Sequence, residues 1–120
     1  MHEVSIALTI VEQIVERSQA ERWEAVTAVH LRVGAMSSVV AEALQFAWPF
    51  AAEGTIADGS RLLIERVPLV VRCDRCDASG TVTGPPLPLC PHCHRPSVVI
   101  LQGRELDIAS VEVYDAASTR

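Results

Sequence analysis

The chain contains no lysine. All ten of its basic residues are arginine, and they face fifteen acidic residues for a formal net charge of −5 over 120 residues. Nucleic-acid binding draws much of its affinity from basic side chains that neutralise phosphates. With no basic run, the balance argues against a nucleic-acid or anionic-membrane partner and is compatible with a cation as ligand. No apolar stretch approaches the ~20 residues needed to span a bilayer. The N-terminus opens Met1-His2-Glu3 rather than with a basic segment, and Glu12 and Glu16 interrupt the first apolar region, so no targeting segment is visible and a cytoplasmic protein is expected. There is no phosphate-binding glycine loop, Ser-His-Asp arrangement or dedicated carboxylate pair, which leaves hydrolase and nucleotidase readings unsupported. Aromatic residues are scarce at 4%, although 49% of the chain is apolar. A core of Val, Ile, Leu and Ala is therefore available but lacks large anchors, and in a chain this short a metal staple becomes useful.

The apolar pattern predicts an α/β protein. Val4, Ala7, Leu8, Val11, Ile14, Val15 and Ser18 recur at helical spacing, so residues 4–19 are expected to form a helix, widened by Ile6 and Ile10. Val29, Leu31 and Val33 alternate with His30 and Arg32 in a strand over 23–34. Ser37 or Ser38 is the expected N-cap of a second helix through Val40, Leu44, Ala47 and Trp48, which Pro49 should end or kink, with Gly54 as a natural stop. Asp58-Gly59 signals a turn into a strand from Arg61 to about Val71, which Glu65, Arg66 and Pro68 place partly at an edge. A last strand runs from Glu105 to Tyr114. Leu106 and Ile108 share one parity and Val111 and Val113 the other, which hints at a β-bulge between them. The tail from Asp115 is small and polar.

Residues 72–98 have a different character, with all four cysteines, five of the seven prolines and two histidines. The expected organisation is an α/β domain from residues 1–68 and 103–115, with two helices on a three-stranded sheet. A zinc-ribbon lobe, 69–102, is inserted between its last two strands, and 116–120 is a tail.

Cys73-x2-Cys76 and Cys90-x2-Cys93 are separated by thirteen residues. Two such knuckles joined by a hairpin bring four thiolates into a tetrahedron suited to zinc, and thiols stay reduced in the cytoplasm. Iron could occupy the same tetrahedron. A dithiol redox motif fits poorly, because Pro91 follows Cys90 and there are two knuckles. Cys90-Pro91-His92-Cys93-His94 also spells the c-type haem string, but haem would leave Cys73 and Cys76 unexplained. A closed four-sulfur site has no open position for substrate, so its role is structural. His92 and His94 sit beside it as neighbours that could tune it or replace a thiolate.

At the other end, the α-amine of Met1, the amide and imidazole of His2 and the amide of Glu3 can form fused chelate rings, a four-nitrogen plane suited to Ni(II) or Cu(II). Met1-His2-Glu3 with Ser5 and a following amphipathic helix resembles the start of the HypA/HybF family of hydrogenase nickel-incorporation proteins. Val33-Gly34 followed by Ser37, then Gly54-Thr55 and Asp58-Gly59, resemble later family segments in order. The paired knuckles with Cys90-Pro91-x-Cys93-His94, and Gly103-x-Glu105-Leu106-x-Ile108-x-x-Val111-Glu112-Val113, extend the resemblance over essentially the whole chain.

The resemblance implies a metallochaperone and not an enzyme. Met1, His2 and Glu3 would bind Ni(II) as transient cargo, and Cys73, Cys76, Cys90 and Cys93 would hold structural Zn(II). Its implied partners are a HypB-type GTPase and the [NiFe]-hydrogenase large-subunit precursor, with urease maturation factors for some members, and a homodimer is compatible with it. Some members carry an acidic residue where this chain has Val40, with Glu42 the nearest carboxylate, so a ligand from that region is not carried over. The competing reading is a zinc-ribbon interaction module without nickel delivery.

Overall fold

The computed structural model describes residues 2–114, and of His2 the backbone alone. Met1 and the tail from Asp115 lie outside the described residues. Two helices, α1 (His2–Glu21) and α2 (Ala41–Ala52), accompany six strands: β1 (Ala25–Gly34), β2 (Arg61–Val67), β3 (Val70–Cys73), β4 (Ser79–Thr81), β5 (Val98–Gln102) and β6 (Leu106–Tyr114). The strands form two three-stranded sheets, ordered β2-β1-β6 and β4-β3-β5. The described residues divide into two compact units, 2–31, 39–64 and 108–114 in the first and 32–38 and 65–107 in the second.

In the first unit α1 and α2 pack together. The buried stripe of α1 is Ala7, Ile10, Val11, Ile14 and Ser18. Val4 and Leu8, expected on that stripe, lie on its flank and are exposed. The buried Ser18 hydroxyl donates to the Val15 carbonyl at 2.7 Å, so the one polar group in the stripe is satisfied. In α2, Leu44, Ala47, Trp48, Ala51 and Ala52 are buried, and the Trp48 indole N–H donates to Ser60 Oγ at 3.0 Å. Pro49 does not end this helix. A proline inside a helix costs about 3 kcal/mol, and burial of Trp48, Ala51 and Ala52 on either side outweighs it. Glu53 caps the C-terminus, followed by Gly54 at φ +77°, the left-handed turn that glycine accommodates.

The expected serine cap of α2 is also replaced. Val40 is the N-cap residue, with no cap from its own side chain, while Ser38 takes a left-handed conformation at φ +65° in the preceding loop. The strand expected over 61–71 is two strands. β2 ends at Val67, and β3 begins at Val70 in the other sheet, because Pro68 offers no N–H to continue the ladder.

The break in alternation in β6 is present. Asp107 and Glu112 are five residues apart, yet they meet Arg32 and His30, which share one face of β1. β1 breaks its alternation too: Ala28 and Val29 are both fully buried, between exposed Thr27 and half-exposed His30. The irregularity belongs to both strands.

The second unit is built on β3, antiparallel to both β4 and β5, with an irregularity in the β5 register beside Val70 and Val71. Its apolar centre is Leu69, Val71, Cys73 and Cys90, each at most 1% exposed. Backbones meet closely at Gly34 and Gly103. A Cβ on Gly34 would stand 2.1 Å from the Gly103 carbonyl oxygen, and one on Gly103 would stand 2.9 Å from Leu69 Cα.

Candidate metal centres

Each cysteine pair is presented by the same backbone device. After Cys73-x2-Cys76, Asp77 turns left-handed at φ +53° and its N–H donates to the Cys73 carbonyl at 2.8 Å. After Cys90-x2-Cys93, His94 does the same at φ +62°, donating to the Cys90 carbonyl at 2.8 Å. These turns aim amides at sulfur. Cys76 N–H points at Cys73 Sγ (3.4 Å), and the N–H groups of His92 (3.3 Å) and Cys93 (3.4 Å) point at Cys90 Sγ. Such donors stabilise a thiolate more than a thiol.

The knuckles bring all four sulfurs within 4.8 Å of one another. The Cys73–Cys93 separation is 3.7 Å and the Cys76–Cys90 separation 3.9 Å. A tetrahedron with Zn–S bonds of ~2.3 Å has edges of ~3.8 Å, so these two of its six edges already stand at zinc-ligand spacing. None is in a disulfide. The proton energetics agree. Cys90 is lowered to about 6, chiefly by the Cys93 amide and also by that of His92, against the pull of burial. Cys76 is pushed up to about 12, first by its bond to the Cys93 thiol and then by loss of water around its sulfur. Four sulfurs this close cannot all carry charge unless a cation joins them. Zinc fits this set as a closed structural ion and leaves no open position for chemistry.

His92 and His94 stand outside this ligand cluster, which among the described residues consists of the four cysteines alone. The role of His94 is in its backbone. Its position matches that of Asp77 one knuckle earlier, and that symmetry was the available signal.

For the N-terminal site, Met1 and the His2 side chain lie outside the described residues. The backbones of His2 and Glu3 form the first turn of α1, where amide N–H groups have no carbonyl partner within the helix. Glu3 is half-buried, and its Oε2 accepts the Val40 N–H at 3.1 Å. Val40, which has no acidic side chain to offer, thus meets the Glu3 carboxylate through its backbone amide. Glu42 is exposed in the first turn of α2.

No helix among the described residues is long and apolar enough to cross a membrane. Residues 1–113 match the family described as hydrogenase/urease nickel incorporation, metallochaperone, HypA. The chain is 46% identical over 112 residues to a hydrogenase maturation factor HypA of Chloroflexus aurantiacus, covering 93% of this chain and 98% of that one. It is 40% identical over 116 residues to the Streptomyces avermitilis factor of the same name, covering 96% and 88%. Its fold resembles the solution structure of the Ni metallochaperone HypA from Helicobacter pylori, with a TM-score of 0.66 at 19% identity, over 94% of this chain and 97% of that one. With the family matched from Met1 through β6 and the four sulfurs gathered, the chain belongs to the HypA family of hydrogenase/urease nickel-incorporation metallochaperones, which are carriers and not enzymes.

Proposed function

We propose that this metallochaperone takes Ni(II) at Met1, His2 and Glu3 and passes it to the precursor of a [NiFe]-hydrogenase large subunit in the cytoplasm. A HypB-type GTPase would assist, and urease maturation factors are further candidates as recipients. The Met1 amine, the His2 amide and imidazole and the Glu3 amide supply a nitrogen plane that suits the ion. The observation that carries this reading is the placement of the His2 and Glu3 amides in the opening turn of α1, where helix formation makes no claim on their N–H groups. A chelate built on a chain terminus, without a cage of further side chains, can release its cargo. Cys73, Cys76, Cys90 and Cys93 would hold one zinc ion that orders the second unit, with binding worth ~10–16 kcal/mol to its folding.

The test is a Ni(II) titration of two zinc-loaded preparations, one with the native Met1 amine and one with extra residues before it. The expected result is one nickel per chain in the first and loss of that site in the second, with zinc retained in both. Equal binding by the two would remove the amine from the ligand set. Absence of binding in both would leave only a zinc-organised interaction module.

A further inference from the structure

We propose that Cys76 is a site of oxidation by hydroperoxides and Cys90 its resolving partner, so that a Cys76–Cys90 disulfide joins the two knuckles as zinc is released. The inference rests on the zinc reading of the four cysteines and is independent of what the N-terminus holds.

The four sulfurs are not equivalent. Cys73 and Cys90 are buried, Cys93 is half-buried and Cys76 is exposed. Amide donors divide them further. The Cys76 N–H points at Cys73 Sγ, and the His92 and Cys93 N–H groups point at Cys90 Sγ. None of the described amides points at the sulfur of Cys76 or Cys93. A zinc ion in the site keeps its ligands as thiolates. Amide hydrogen bonds stabilise the charge on a thiolate and so quiet it as a nucleophile. Cys76 is therefore the sulfur that solvent reaches and that no amide quiets. Oxidation follows thiolate character and exposure, so it begins there.

The fold supplies the partner. Close sulfur–sulfur approaches run between the knuckles, Cys76 with Cys90 at 3.9 Å and Cys73 with Cys93 at 3.7 Å, and together they use each sulfur once. Oxidised Cys76 thus meets Cys90 from the other knuckle, and the bridge closes the loop over 77–89 that carries β4.

The Cys76 thiolate attacks one oxygen of the hydroperoxide, the O–O bond breaks, and the sulfenic acid forms as hydroxide leaves. The Cys90 thiolate then attacks the Cys76 sulfur, the S–S bond forms, and a second hydroxide leaves. The two sulfurs give up two electrons between them, and these reduce one peroxide. With two of its four donors consumed, the site no longer holds zinc. The bridge ties the same hairpin that the ion tied, so the lobe keeps a crosslink after the metal has gone.

The experiment adds hydrogen peroxide, in less than equimolar amount, to the zinc-loaded full chain. Zinc content measured beforehand tests the zinc reading separately. A chain without zinc overturns that reading, while the sulfur positions still require the same bridge. Dimedone, a trap for sulfenic acid, should label Cys76 about tenfold more than any other cysteine. Without the trap, peptide mapping should find Cys76–Cys90 as the first disulfide, with zinc released in step and restored by dithiothreitol and added zinc. Amide protection in β3–β5 should persist in part in the bridged chain and be lost in a reduced, chelated one. Cys76→His, which leaves a three-cysteine, one-histidine zinc donor set, should release zinc about tenfold more slowly. Trapping and mapping use the native chain, so they decide even where the variant does not load zinc. First labelling at another cysteine, a Cys73–Cys76 or Cys90–Cys93 bridge, or zinc retained against excess peroxide would each overturn the proposal.

Discussion

The Glu3 carboxylate accepts a hydrogen bond from the backbone N–H of Val40 at 3.1 Å, so a residue at the start of α1 serves the N-cap position of α2, thirty-seven residues later. Negative charge at a helix N-terminus is favourable, and a lost cap costs about 1 kcal/mol. Glu3→Ala should lower the stability of the zinc-loaded protein by about that amount in urea unfolding. Glu3→Gln keeps an acceptor and should lose about half as much. If the proposed ligand at this position is the amide, both variants should keep nickel binding, whereas His2→Ala should lose it. Loss of nickel in Glu3→Gln would show that the carboxylate is itself a ligand.

Zinc removal should act on the second unit. With only short strands around Leu69, Val71 and two cysteines, that unit lacks a core able to hold it without metal. Chelation at neutral pH should release one zinc per chain and collapse amide-exchange protection in β3–β5, while protection in α1 and α2 persists. Cys73→Ser and Cys90→Ser, which remove the two fully buried sulfurs, should give the same pattern without chelator. Retained protection in β3–β5 after metal loss would contradict this.

The zinc knuckles were legible in the sequence because their information is local. Two residues between cysteines set the turn, and Asp77 and His94 repeat it. The helices and the central strand were legible from periodicity. What escaped is non-local. Nothing near Val40 shows that its cap is Glu3, and Ser37 and Ser38 looked better by local chemistry. Pro49 is a strong local signal overruled by the burial of Trp48 and Ala52 around it. The burial of both Ala28 and Val29 was masked because alanine reads equally well on either face, whereas Ile108 and Val111 displayed the same break in β6 openly.

The Glu112 carboxylate lies below the usual range, mainly because His30 Nε2 bonds it at 2.7 Å, with Arg61 at 3.8 Å adding to the effect. A carboxylate depressed in the folded state contributes stability that is complete above its ordinary value of 4.5 and is lost as pH falls through its folded value. The pair is exposed, so the contribution is small. A carboxyl carbon NMR titration should place Glu112 below the ordinary glutamate range. His30→Gln should move Glu112 upward and flatten the acid limb of its stability curve. An unchanged Glu112 titration in that variant would assign the shift to Arg61 instead.

In the second unit glycine packs against backbone, and this makes the sharpest stability prediction. A Cβ on Gly34 would lie 2.1 Å from the Gly103 oxygen and 2.2 Å from its carbonyl carbon, atoms that cannot rotate away. Gly103 cannot retreat easily, because its own φ of +124° and its approach to Leu69 hold it in place. The backbone there is also tied by the Gly34 N–H to the Glu105 carbonyl and by the Met36 N–H to the Gly103 carbonyl. Overpacking ordinarily costs about 1–3 kcal/mol, and a clash with fixed backbone belongs at or above the top of that range. Gly34→Ala should therefore lose about 3 kcal/mol in denaturant unfolding. Gly54→Ala meets no neighbour within 4 Å and strains only its left-handed φ, so it should lose about 1 kcal/mol. If the two variants unfold at the same denaturant concentration, the close approach at Gly34 is not what constrains that position, and conformational freedom alone explains both glycines.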